Sequence, residues 1–273
     1  MKKILLIGST GFVGKKLRLE LSKKYNLICP LKKRGFDVTK KKKLKKYLNE
    51  KIDIVVNLSG QEISNKKKMK DIIYKGNKNI LELSNSLKKN ITLIYISSSL
   101  IYGGSRYIKK ENSKKNPYNI YAKSKLHVEK QYLKTKKNYL ILRFSNIYGE
   151  KSKKGIISLI LKSIKNKNLF KFDNIKTFKN FIYVNDVVKT IRVLINKNVK
   201  NKIINIGNEN IRFKELANML QKITKNNFEF SNKNLNINLT LSQKIDTSLI
   251  KSIINQNSFQ NLEKYLKNEI RNR

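Results

Sequence analysis

The run Ile4-Leu5-Leu6-Ile7 followed by Gly8-Ser9-Thr10-Gly11-Phe12-Val13-Gly14 constrains the fold more than any other part of the sequence. Four consecutive apolar residues read as a strand buried on both faces of a parallel sheet. After the glycines, Leu17, Leu19, Leu21 and Tyr25 recur among charges, as in a helix. Strand, tight turn and helix in this order place Gly8, Gly11 and Gly14 where the backbone must turn sharply, approach a pyrophosphate and pack helix against strand. The helix N-terminus then offers free N–H groups to phosphates. A P-loop fits poorly, because five residues separate Gly8 from Gly14 and Lys16 stands where a Ser or Thr would hold magnesium. A secretory leader fits no better, since four apolar residues before a glycine are too few. The remaining alternative is a purely structural glycine turn in another α/β protein.

A second feature is Tyr121-Ala122-Lys123-Ser124-Lys125. On a helix, positions i and i+4 share a face, which brings the Lys125 ammonium within reach of the Tyr121 phenol. A cation there favours the phenolate and lowers the tyrosine pKa by roughly 1–3 units, as acid–base catalysis requires. In a chain with 62 Lys and Arg residues and 13 tyrosines, that spacing also arises by chance. Upstream, the apolar run Leu93-Ile94-Tyr95-Ile96 ends in Ser97-Ser98-Ser99. In open α/β sheets ligands gather at the carboxyl ends of strands, so a hydroxyl there can hold a substrate oxygen. The alternative is that the serines end a strand and cap the next element.

Together these elements make the chain resemble the extended short-chain dehydrogenase/reductases of the nucleotide-sugar epimerase and dehydratase type. The resemblance covers most of the chain. Residues 52–60 resemble the family's fourth strand, Asn116-Pro117-Tyr118 leads into the tyrosine, and Leu142 to Gly149 resembles the segment entering the substrate pocket. Asn180 to Val188 and Ile204-Asn205-Ile206-Gly207 match later landmarks. The resemblance implies a Rossmann-type doubly wound parallel sheet with a smaller C-terminal substrate-binding lobe. It makes Tyr121 the proton donor, Lys125 the ligand of the nicotinamide ribose, and Ser98 the catalytic hydroxyl. It places Gly8, Thr10, Gly11, Phe12, Val13, Gly14, Lys32, Asp37, Val38 and Leu58 around the cofactor, Asp37 as the acid that contacts adenine. Ser99, Tyr121, Asn146 and Lys179 would face the substrate.

Several positions depart from the family pattern. Lys32, followed by Lys33 and Arg34, stands where NAD-preferring relatives carry an acid, so the cofactor is NADP or NAD, with these cations suited to a 2′-phosphate. Lys179-Asn180 replaces Arg-Asp, and lysine is a poorer bidentate clamp for phosphate. Ile73 replaces a frequent asparagine. Ser99 and Leu100 occupy the positions of the Asp and Glu that dehydratases place after the catalytic hydroxyl, which argues against water elimination. A 4-keto reductase using NADPH and a 4-epimerase retaining NAD remain, and the basic cluster with the short chain favours the reductase.

A formal net charge of +44 raises a third possibility, a non-catalytic basic Rossmann protein that binds nucleotide or RNA. The kind of cation speaks against it: lysine supplies 54 of the 62 basic residues, beside 36 asparagines and only two alanines. Lys, Asn and Ile share A/T-rich codons, whereas dedicated nucleic-acid surfaces recruit arginine. Lys40 to Lys43 and Lys66 to Lys68 then read as solvated helix faces, and no specific nucleic-acid partner is expected. No apolar run approaches a membrane span, and a single cysteine, Cys29, allows no intrachain disulfide and fits a reducing cytoplasm. His127 is the one histidine, and no Cys/His cluster suggests a metal. The expected organisation is a cofactor-binding domain over 1–150, with 179–207 returning to it, and a substrate lobe from 151–178 and 208–273. Within that lobe, 226–238 reads as a long polar connection. By resemblance, the tyrosine helix and a helix over about 65–89 form a homodimer contact.

Overall fold

A computed structural model describes residues 1–60, 64–168, 170–172, 174–224, 229–230, 242–255 and 258–271. Apart from 229–230, the polar connection expected over 226–238 lies outside them. Its elements in chain order are β1 (Lys3–Ile7), α1 (Phe12–Leu21), β2 (Asn26–Ile28), α2 (Lys41–Lys45), β3 (Ile54–Asn57), α3 (Lys66–Asn85), β4 (Thr92–Ser98), α4 (Ile120–Tyr132), β5 (Asn138–Phe144) and β6 (Asn146–Tyr148). There follow α5 (Ile156–Lys165), β7 (Lys171–Phe172), β8 (Phe178–Tyr183), α6 (Val184–Asn196), β9 (Lys202–Ile206), β10 (Glu209–Arg212), α7 (Phe213–Thr224), β11 (Glu229–Phe230), α8 (Ser248–Ile253) and α9 (Leu262–Arg271).

The chain divides into two compact units, the first comprising 1–101, 117–143 and 188–204, the second 102–116, 144–187 and 205–273. In the first, six strands run in the order β2-β1-β3-β4-β5-β9. β1 pairs in parallel with β2 on one side and β3 on the other, and β3 in parallel with β4. The middles of the strands are apolar, as in a sheet covered on both faces: Ile4, Leu5, Leu6, Val55, Val56, Leu93, Leu140, Ile141 and Leu142 are all buried. The segment resembling a fourth strand is third in chain order. Between β2 and β3 the chain forms only a 3₁₀ turn at Lys32–Arg34 and the short α2, so no strand intervenes.

Two helices matter most for the site. α3 starts where the Asn65 Oδ1 accepts the Lys68 N–H at 2.9 Å, and buries Met69, Ile73, Asn77, Ile80 and Ser84 at helical spacing. α4 starts where the Asn119 Oδ1 accepts the Ala122 N–H at 2.7 Å. The two pack together, joined by a buried polar chain. The Asn57 Nδ2 donates to the Asn77 Oδ1 at 2.9 Å, and the Tyr132 hydroxyl donates to the same oxygen at 3.0 Å. These buried amides are therefore satisfied rather than costly.

In the second unit β8 lies between β6, parallel, and β10, antiparallel, while β7 pairs with β11. Thus, of residues 179–207, the strand β8 belongs to this sheet, α6 from Val188 onward goes with the first unit, and β9 joins the six-stranded sheet. The core of the unit is Tyr148, Ile160, Leu161, Phe172, Phe181, Phe213, Leu216, Leu262 and Leu266. The lysine runs are solvent-exposed: Lys40 to Lys43 and Lys66 to Lys68 all face outward.

Candidate active site

The strand order reverses between β1 and β3, because β1 connects outward to β2 and the chain then returns to the other side. Ligands settle at such switch points, outside the carboxyl ends of the strands. Register aligns Ile7 with Asn57 and Asn57 with Tyr95. The turn at Gly8, the loop Leu58-Ser59-Gly60 and the serines ending β4 therefore follow one another along a single sheet edge.

The glycines of the turn differ in what requires them. A Cβ on Gly14 would lie 2.1 Å from the Gly8 carbonyl oxygen, so close packing of α1 on the turn demands glycine there. Gly8 has φ +85°, a conformation that strains any L side chain, and a Cβ there would also press on the Leu58 backbone at 3.1 Å. Gly11 is the N-cap of α1, with an ordinary φ of −73°. Its Cβ would meet only the Gly8 oxygen at 3.4 Å, so the chain itself scarcely needs glycine. The bare backbone leaves the α1 N-terminus, which no side chain caps, open to an anion. Phe12 and Val13 form the first helical turn.

Beside the turn lies a cleft of about 470 Å³ lined by Gly8, Ser9, Thr10, Pro30, Lys32, Phe36, Asp37, Val38, Thr39, Lys40, Ser59 and Lys68 among others. The Asp37 Oδ1 accepts from the Thr39 N–H at 2.9 Å and the Thr39 hydroxyl at 2.8 Å. Burial works against this carboxylate, but those two bonds with Lys40 and Lys43 hold its pKa below the ordinary range. Leu58 lies beneath the turn, its N–H donating to the Ile7 carbonyl at 3.0 Å. An open uncapped helix end, a crowded glycine turn and a largely apolar cleft rimmed by lysines and two acids, Asp37 and Asp71, fit the parts of a dinucleotide. Burial pushes the Cys29 thiol up, against Ser9 and Arg18, as expected for an unreactive cysteine.

Lys125 is almost wholly buried, at 2% exposure. Its ammonium donates to the Ile96 carbonyl at 2.8 Å and sits 5.1 Å from the Tyr95 ring centroid and 5.6 Å from that of Tyr121. The structure does bring Lys125 to Tyr121, as the spacing predicts, but over the ring face, with its hydrogen bond going to β4. Burial lowers its pKa from 10.5 to about 7, against the raising field of Glu129. The cation is therefore conditional near neutral pH, which spacing alone does not reveal. Ser98 is buried at the end of β4, its Oγ accepting the Leu100 N–H at 3.2 Å. The capping alternative is thus realised at this serine. Ser99 is buried in the following 3₁₀ turn, Ser99–Tyr102.

The other two residues expected to face the substrate, Asn146 and Lys179, are in the second unit. The Asn146 Nδ2 donates to the Asn180 carbonyl at 2.9 Å. The Lys179 ammonium donates to the Gln243 Oε1 at 3.1 Å, and burial lowers its pKa to about 8. Among the described residues no group of His, Cys, Asp and Glu is arranged to hold a metal, and no helix is long and apolar enough to cross a membrane.

Sequence reasoning missed Glu129 and Arg143. The Arg143 Nε and Nη2 donate to the two Glu129 oxygens at 3.0 and 2.7 Å, and both side chains are buried. A Glu four residues after Lys125 was the available signal.

A parallel Rossmann-type sheet with a glycine turn at its switch point and Lys125 set against the Tyr121 ring defines a dinucleotide-binding α/β fold. The NAD dependent epimerase/dehydratase family model matches residues 4–207, and the chain belongs to that family. A provisionally named UDP-glucose 4-epimerase of Methanocaldococcus jannaschii is 30% identical over 236 residues, 75% of this chain and 76% of that one. The dTDP-D-glucose 4,6-dehydratase of Dictyostelium discoideum is 29% identical over 77% of this chain and 59% of its own length. The fold matches the UDP-glucuronic acid 4-epimerase of Bacillus cereus, solved with NAD, with a TM-score of 0.79 and 21% identity over 99% of both chains.

Proposed function

We propose that the protein reduces a 4-keto nucleotide sugar, with NADP or NAD as its cofactor, Tyr121 as proton donor and Ser98 and Lys125 beside it. The observation that carries this reading is the placement of Lys125 against Tyr121 and the β4 end that bears Ser98. Gly8, Gly11 and Gly14, with Thr10, Phe12 and Val13, would hold the pyrophosphate. Asp37, Val38 and Leu58 would flank the adenosine, and Lys32 the ribose or its 2′-phosphate. When bound, a reduced nicotinamide supplies the hydride for the C4 carbonyl carbon. Tyr121 gives its phenolic proton to the carbonyl oxygen while Ser98 donates a hydrogen bond to that oxygen. Lys125, between the Ile96 carbonyl and the Tyr121 ring, steadies the phenolate that remains and holds the ribose hydroxyls.

Asn146 and Lys179 would bind the substrate together with Ser99, the second unit serving as the substrate lobe. The position after Ser98 argues against elimination, because Ser99 and Leu100 carry no carboxylate to move a proton. A homodimer through α3 and α4, working in the cytoplasm, completes the reading. The names of the Methanocaldococcus jannaschii relative and the Bacillus cereus structure favour a second reading, a 4-epimerase that keeps NAD and passes hydride out and back. Incubation with NADPH and a panel of 4-keto nucleotide sugars, followed by absorbance and product chromatography, tests the choice. Stoichiometric NADPH loss supports the reductase. Interconversion of C4 epimers without net cofactor loss supports the epimerase, and neither reaction would refute both.

A further inference from the structure

We propose that the buried Glu129–Arg143 pair positions Lys125, fixing the rotation of α4 on the sheet so that the lysine ammonium reaches the Ile96 carbonyl and the Tyr121 ring. The inference rests on the catalytic reading above for its consequence in turnover. Its geometry stands apart from that reading.

Glu129 follows Lys125 by four residues, one helical turn on the same face, and Arg143 lies on β5. The two guanidinium contacts, at 3.0 and 2.7 Å, engage both carboxylate oxygens, and the side chains are 1% and 2% exposed. A single contact would fix the distance between helix and strand but not the direction of the Glu129 side chain. The fork fixes both the direction and the distance of the Glu129 side chain. Buried pairs of this kind are weak sources of stability, since apolar residues of similar volume serve as well. Their use is to select one arrangement among several of similar energy. On α4 the arrangement selected is the one that carries Lys125 into a fully buried place.

Lys125 meets few other polar groups there. From β4 come the Tyr95 ring and the Ile96 carbonyl, and from α4 itself Tyr121 and Glu129. The loop after β3 brings Gly60, where a Cβ would stand 3.6 Å from the ammonium. The titratable ring that α3 turns toward α4, Tyr74, packs edge-on against His127 instead. Among these groups Glu129 is the carboxylate, and its field opposes the burial that drains charge from Lys125. Because Arg143 neutralises most of that field, the pair acts on the lysine chiefly by setting where it sits and hence how deeply it is buried.

The test is the double variant Glu129→Leu with Arg143→Met, which removes both charges while keeping apolar volume. Two quantities are read in it and in the parent: kcat and KM, and the titration of Lys125 followed by NMR of ¹³C-labelled lysine, the resonance being assigned by its loss in Lys125→Met. The expected result is a folded protein whose Lys125 midpoint rises by about one unit as the lysine leaves its buried place and whose kcat falls about tenfold at little change in KM. Unchanged midpoint and kcat in the folded variant would overturn the inference. Should the double variant not fold, Arg143→Lys keeps the charge and loses the fork. It should leave the midpoint in place and lower kcat about threefold, and unchanged kcat would again overturn positioning. If the parent shows no turnover, the catalytic reading fails, while the NMR titration still decides this one.

Discussion

The ammonium of Lys125 donates to the backbone carbonyl of Ile96 at 2.8 Å, so the lysine on α4 is tied to the strand that ends in Ser98. A helix residue and a strand end are thereby fixed to one another, and Tyr121, one turn before the lysine, is carried along. The Tyr121 and Ser98 hydroxyls, proposed above to react, then hold their places through a bond that involves neither of them.

Tyr121→Phe should lower kcat by about 10²–10⁴-fold, because no other group supplies the proton. The binding of cofactor should barely change, since the phenol plays no part in the turn or the cleft. Steady-state kinetics beside a cofactor titration on the same sample checks both halves. Turnover near the parent's would remove Tyr121 from the mechanism.

The two glycines at the α1 end should part company. Gly14→Ala places a methyl 2.1 Å from the Gly8 oxygen, and should destabilise the protein by about 1–3 kcal/mol through overpacking. Gly11→Ala meets only a contact at 3.4 Å, and should fold normally yet bind cofactor about tenfold more weakly as the methyl crowds the pyrophosphate. Thermal melting and calorimetry separate the two effects. Equal melting shifts would contradict the assignment.

Stability of the cofactor-free protein should rise with pH through the range set by Lys125. Burial lowers its pKa from 10.5 to about 7. Between those values the unfolded chain holds a proton that the folded chain has released, so stability increases with pH. Below about 7 both states carry the proton, and the cost of the buried charge is at its fullest. Lys125→Met removes that cost, so its stability relative to the parent should be greater at about pH 6 than at about pH 10, by roughly 2–4 kcal/mol. Denaturant melts of both proteins at the two pH values measure the difference.

Lys32→Glu should reverse the cofactor preference at the cleft. Lys32 is exposed at its rim, and losing one charge-assisted bond to a 2′-phosphate costs about 1.5–3 kcal/mol. NADPH should weaken by at least about tenfold while NADH holds or tightens. Unchanged NADPH affinity would place the phosphate elsewhere.

Much of this was legible in the sequence. The apolar run before Gly8 and the glycines after it gave β1, the turn and α1, and the β4 serines with the Tyr121 helix gave the sheet edge. What the sequence could not show is three-dimensional pairing. Nothing in the spacing of Glu129 and Arg143, one on a helix and one on a strand, announces a bidentate contact. Spacing predicted that Lys125 meets Tyr121, but the degree of burial decides its charge and the Ile96 carbonyl its direction, and both depend on how α4 lies on β4. Ser98 shows the limit from the other side: capping and catalytic readings look opposed in sequence, yet accepting the Leu100 N–H uses only a lone pair of the hydroxyl oxygen. The strand 178–183 looks like a return to the main sheet, but its partners are β6 and β10, which adjacency in sequence does not specify.

The most direct test is calorimetric titration of the purified protein with NAD, NADH, NADP and NADPH at low and physiological salt. The account predicts saturable binding of one cofactor type per chain, with affinity changing less than about tenfold between about 50 and 200 mM salt, because few phosphates are engaged. Binding that fails to discriminate among the four and collapses by about 10³-fold or more over that range, or no binding at all, would contradict it and leave a basic surface without a cofactor site.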